Sequence, residues 1–181
     1  MFTLPCIGMF YHDVVALLKN AKYAAVIHVK INPEFNIYLD QDENVVALEC
    51  LNADAKDAYG KKSFAGKSLD ETLQTAVSIA AEKGYMKEDQ TVALTITECT
   101  TDLNATELQM KMDSVVTEAA KEQNITVTTA MDMSEEVRMA QKEAGLIKQA
   151  CSNCNGTGDC PDCPVCGGSF KCVVCGGSGT L

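Results

Sequence analysis

Tryptophan is absent from these 181 residues, histidine occurs twice, proline four times, and aromatic side chains make up 6% of the chain. With two histidines, no serine, histidine and acid grouping and no paired-carboxylate motif, the sequence offers no machinery for a turnover hydrolase. Positive charge is also scarce. Fifteen Lys and Arg stand against 25 Asp and Glu, a net charge of -10, and that balance argues against nucleic acid, whose binders present a basic face. No apolar run reaches the roughly 18 residues of a membrane span, and the opening MFTLPCIGMFY lacks the positive stretch of a signal peptide. As given, the chain reads as soluble. An apolar fraction of 46% is enough for a real core, and cysteine is plentiful: ten residues, seven of them within the last thirty-one.

Cys151 with Cys154 and Cys172 with Cys175 each form a CxxC step followed by glycines in the pattern CxxCxGxG, with Gly156 and Gly158 after the first pair and Gly177 and Gly179 after the second. Two cysteines three apart in a tight turn can aim both sulfurs at one ion, and glycine supplies the positive-φ backbone such turns need. Two such pairs complete one tetrahedral zinc site. Between them lie Cys160, Cys163 and Cys166, three thiols in overlapping steps. A second zinc there needs water, Asp159, Asp162 or a shared thiolate as its fourth ligand. Iron-sulfur and disulfide readings rank behind zinc, because a ferredoxin-like run wants a cysteine three residues after CxxCxxC, whereas Cys172 follows Cys166 by six, and no CxxCH heme signature occurs. The stretch resembles the cysteine-rich zinc domain of the DnaJ co-chaperones over residues 151–181, with Phe170 where the inner unit would end in glycine. That resemblance implies a module that binds extended polypeptide. The large apolar residues available for it are Val165, Phe170, Val173, Val174 and Leu181. The alternative is a metal that only staples a tail unable to fold without it.

The rest of the chain reads as α+β, a mostly antiparallel sheet of about five strands with helices packed on it. Residues 1–22 form an apolar lead-in with a short helix in DVVALLKN, residues 23–150 the main domain, and residues 151–181 the cysteine module. In the main domain Ala25, Ile27, Val29 and Ile31 alternate inward, and after Asn32-Pro33 the alternation resumes at Phe35, Ile37 and Leu39. A polar turn over 40–44 leads to a third strand with Val46, Leu48 and Cys50 inward. Ser68 with Glu71 marks a capping box, and Leu69, Leu73, Val77 and Ala80 define a helix ending at Gly84. Val92, Leu94 and Ile96 alternate as a strand. Leu108, Met112, Val115 and Ala119 face inward from a helix beginning near Ala105, and Ile125, Val127 and Met131 suggest another strand. Ser134 caps a last helix with Val137, Ala140, Ala144 and Ile147 on its apolar face. Met110, Met112, Met131, Met133 and Met139 are expected in core and rim packing, and Cys6, Cys50 and Cys99 as plain apolar filler.

The stretches YAAVIHVKINPEFNIYLDQDENVVALECLNADAKD, GKSLDETLQTAVSIAAEKGYM and ITVTTAMDMSEEVRMAQKEAGL together resemble the extracytoplasmic middle domain of RsgI-type anti-sigma factors, over residues 23–147. Members of that family span the membrane once, with a sigma-binding domain inside and a variable sensor outside. The resemblance therefore implies an extracytoplasmic relay domain with a protein partner. Its membrane span and its sigma-binding domain are absent from this sequence, so the chain is expected not to hold a sigma factor itself. The family also implies self-cleavage between Asn32 and Pro33, the only enzymatic act expected here. Proline has no backbone N–H, so Asn32 cannot undergo the common deamidation, and attack of its side-chain amide on its own carbonyl is the route left. The competing reading is a plain Asn-Pro turn. Family members carry Asp-Ile-Asn-Pro-Ser, whereas Lys30 and Glu34 flank the Ile31-Asn32-Pro33 core here, a base replacing an acid.

Overall fold

The computed structural model describes residues 23–146. The expected lead-in helix and all seven tail cysteines lie outside the described residues, as does Cys6. The chain divides after Arg138 into two units, and the architecture below is that of the first, with residues 139–146 the described part of the second.

Three strands open it, β1 (Ala25–Lys30), β2 (Glu34–Leu39) and β3 (Val45–Cys50). Helix α1 (Ala53–Tyr59) and helix α2 (Leu69–Glu82) follow, then β4 (Gln90–Cys99), α3 (Ala105–Glu122), β5 (Val127–Met133) and α4 (Glu135–Glu143). The strands form one sheet in the order β3-β2-β1-β4-β5. Three neighbouring pairs are antiparallel and the last, β4 with β5, is parallel, as it must be when α3 is the crossover between them. The expected α+β class holds, with a mixed sheet.

Register follows from the apolar alternation. Ala25, Ile27, Val29, Ile31, Phe35, Ile37 and Leu39 are all at most 3% exposed, and each large one contributes roughly 1.5–3 kcal/mol by leaving water. A one-residue slip between β1 and β2 would turn this whole set outward. The opposite face carries His28, Lys30, Asn36 and Tyr38. On β3 the pairing shifts between Tyr38 and Leu39, so that Leu39 faces Val45 while Tyr38 faces Ala47. This bulge inserts one residue and makes Val45, not Val46, the buried side chain.

Ser68 caps α2 by accepting the Glu71 N–H at 3.2 Å. The reciprocal half of the expected box is replaced, because the Glu71 carboxylate takes Lys67 instead. Leu69, Leu73, Val77 and Ala80 are buried as expected, and the chain leaves the helix through Gly84 at φ +73. Asn104 caps α3, accepting from Thr106 and Glu107. Its inward stripe runs through Leu108, Met112 and Ala119 as expected, with Val116 buried beside them and Val115 half-buried at the edge of the core. Helix α2 packs beside α3, and α3 lies against β4 and β5. Met112 is core, Met131 and Met133 pack at its rim, and Met110 and Met139 stand exposed rather than packed. Ser134 Oγ accepts from the Val137 N–H at the start of α4, as expected of a cap.

Candidate functional site

The three residues between β1 and β2 make the reversal that joins the sheet's central strand to its neighbour. Lys30 pairs with Glu34 at its base, and the Ile31 N–H donates to the Pro33 carbonyl at 3.0 Å. Asn32 occupies the apex at φ +67, a left-handed conformation that asparagine tolerates better than most side chains. Its side chain is exposed while Pro33 is buried. The Asn32 amide therefore stands at the exposed apex of the bend, and the proline that follows it is covered.

Two other side-chain amides reach this turn. Asn52, the cap of α1, sends its Nδ2 to the Asn32 Oδ1 at 3.4 Å, while its own Oδ1 accepts the Ala55 N–H at 2.8 Å and the Glu34 N–H at 3.3 Å. Gln90, the first residue of β4, donates its Nε2 to the Ile31 carbonyl, and its Oε1 accepts the Lys87 N–H at 2.9 Å. Neither contact was legible in the sequence. Asn52 lies 20 residues from Asn32 and Gln90 lies 59 from Ile31, and only a helix-cap pattern before Ala53 singles out either one.

On the open face beside the turn, His28 Nε2 lies 3.0 Å from Glu34 Oε1, so the glutamate that follows the proline is engaged across the hairpin rather than aimed at Asn32. Further along, Glu49 is 7% exposed and accepts from Tyr38 Oη at 2.8 Å and Asn36 Nδ2 at 3.1 Å. Burial, then the Glu49 carboxylate, hold the Tyr38 hydroxyl well above its ordinary range. Tyr23 stacks edge-on against Tyr38 with centroids 5.4 Å apart. This cluster is a hydrogen-bonded network centred on the Glu49 carboxylate.

Among the described residues no group of three or more His, Cys, Asp or Glu side chains could hold a metal ion. The expected zinc ligands Cys151, Cys154, Cys160, Cys163, Cys166, Cys172 and Cys175 fall outside that range. Cys50 and Cys99 are half-buried thiols that donate to backbone carbonyls, Cys50 to Ala55 at 3.3 Å and Cys99 to Thr100 at 3.4 Å, in keeping with a packing role. Among the described residues no helix is long and apolar enough to cross a membrane.

Compared with known proteins, residues 24–151 match the family described as the anti-sigma factor RsgI-like central domain. One curated relative, the anti-sigma-I factor RsgI3 of Acetivibrio thermocellus, is 34% identical over 67 residues. That match takes in 37% of this chain and 10% of the relative, so the likeness concerns a small part of a much longer protein.

Proposed function

The chain belongs to the RsgI-like central-domain family of anti-sigma factors, and from that premise we propose that its main domain is an extracytoplasmic signalling relay that cuts its own backbone between Asn32 and Pro33 and stays assembled afterwards. The observation that carries this reading is the place of the bond. It lies at a turn with an exposed apex, Asn32, whose upstream strand, β1, is paired on both sides, with β2 and with β4. A cut would leave β1 in the middle of the sheet, held by two ladders of backbone hydrogen bonds and a shared apolar face. Pulling β1 out would then be the signal, because it would open the sheet at its centre and not at an edge. The left-handed backbone at Asn32 costs roughly 1 kcal/mol, and cleavage that relieves it in the transition state would gain up to about tenfold in rate for each ~1.4 kcal/mol released.

The cysteine tail belongs to the same reading as a zinc module. Cys151, Cys154, Cys172 and Cys175 supply four thiolates, a donor set suited to tetrahedral zinc, and Cys160, Cys163 and Cys166 could hold a second ion with one oxygen ligand. A protein partner is expected for a relay of this kind.

The test is a mass measurement on purified chain under denaturing and native conditions. The expected result is one assembly in native buffer that separates in denaturant into residues 1–32 and residues 33–181, with Asn32→Ala remaining whole. A wild-type chain that stays intact after prolonged incubation would reduce the turn to a structural feature.

A further inference from the structure

We propose that Asn52 and Gln90 are positioning residues for scission at Asn32-Pro33, an inference that rests on the self-cleavage reading above. Each is an amide whose orientation is set by its other end. The Asn52 Oδ1 is occupied by the Ala55 and Glu34 N–H groups, so only its NH2 can face Asn32; a flipped amide would set hydrogens against both donors. The Gln90 Oε1 is held by the Lys87 N–H in the same way, which aims its NH2 at the Ile31 carbonyl. Gln90 thus fixes the peptide before Asn32, and Asn52 fixes the side chain of Asn32 itself.

The consequence is chemical as well as geometric. An amide nitrogen attacks only as its nitrogen gives up a proton and negative charge gathers on the amide oxygen. The Asn52 donor lies 3.4 Å from that oxygen, where a hydrogen bond strengthens as charge develops. Holding Oδ1 there leaves the other end of the same amide, Asn32 Nδ2, out of the contact with Asn52. In the step, Nδ2 bonds to the Asn32 carbonyl carbon, the bond from that carbon to the Pro33 nitrogen breaks, and the proton lost by Nδ2 is made up on the proline nitrogen. The products are a C-terminal succinimide, which water then opens, and a chain beginning at Pro33.

Asn52→Asp tests the role with the cap retained, because a carboxylate still accepts from the Ala55 and Glu34 N–H groups and is as good a helix cap as asparagine. It exchanges the donor that faces Asn32 Oδ1 for a charged acceptor. Whole chain made by cell-free synthesis, chased and quenched in denaturant, should cleave roughly ten to a hundred times more slowly in this variant, the range expected for one charge-assisted hydrogen bond, with an unchanged melting midpoint. The deficit should narrow below about pH 4, where the carboxyl regains an O–H to donate. Gln90→Glu keeps the acceptor for Lys87 and loses its donor, and it should slow cleavage independently even if Asn52→Asp fails to fold. Wild-type rates in both variants, with Asn32→Ala uncut, would overturn the positioning role while sparing self-cleavage. A wild type that never cleaves would overturn both.

Discussion

Cys99 closes β4 with its thiol directed at the carbonyls of Thr100 and Leu103, and burial pushes it from an ordinary 9.0 up to about 11. Only the thiolate reacts, so alkylation at pH 8 should run about a hundredfold slower than at an unhindered thiol, as measured by iodoacetamide labelling read at the peptide level. The folded state holds this proton more tightly than the unfolded chain does. Its contribution to stability is therefore complete below pH 9 and is lost as the pH climbs through 11. A urea midpoint that falls across that window, and falls less in Cys99→Ala, would be the expected result; no change would mean that the thiol ionises as freely in the fold as outside it. The same scale shows what sequence can and cannot reveal. Asn32 and Pro33 are neighbours in the chain and could be read as a unit. Gln90 joins them because β4 pairs with β1, and Asn52 because β3, just before it, pairs with β2, and neither has a spacing that would announce it.

At the scale of elements, strands and long helices were legible because their periods are long enough to count. Two features were not. The bulge in β3 exchanged Val45 for Val46, and two adjacent valines leave period-2 alternation with no way to choose between them. On helix α3 the expected face held, and adjacent Val115 and Val116 both touch the core, with Val116 the buried one. Helix α1 is seven residues, too short for an amphipathic pattern, although Asn52 before a run rich in alanine is a cap signature in hindsight. That short helix matters for packing. Its Tyr59 is 1% exposed, lies edge-on to Phe35 at 4.9 Å and to Phe64 at 6.1 Å, and donates its hydroxyl to the Ala76 carbonyl at 3.0 Å. It ties α1 to β2 and to α2 at once. Tyr59→Phe should cost about 1 kcal/mol through the lost hydrogen bond, and Tyr59→Ala about 3–5 kcal/mol through the cavity, both read from urea titrations. Equal costs for the two variants would show that the ring packing contributes little.

Across the whole molecule, an α+β domain rich in apolar alternation is followed by thirty-one residues that hold seven cysteines and few large apolar side chains. The first part can fold on its core. A segment built like the second has too little to bury and gains its folding free energy from an ion, so that metal release and unfolding become one event. The two parts should therefore respond to different perturbations. If Cys151, Cys154, Cys172 and Cys175 form the proposed zinc site, Cys151→Ser removes one of its four thiolates, and native mass measured with and without chelator should show that variant losing the ion. The cooperative melting of the main domain should be unchanged, because the described core is built from residues 24–141. One zinc equivalent in the wild type would assign the metal to the outer pairs alone, and two would add Cys160, Cys163 and Cys166 as ligands. Retention of a full equivalent by Cys151→Ser would sink the outer site, and loss of domain melting along with the metal would show that the tail is part of the domain's own core.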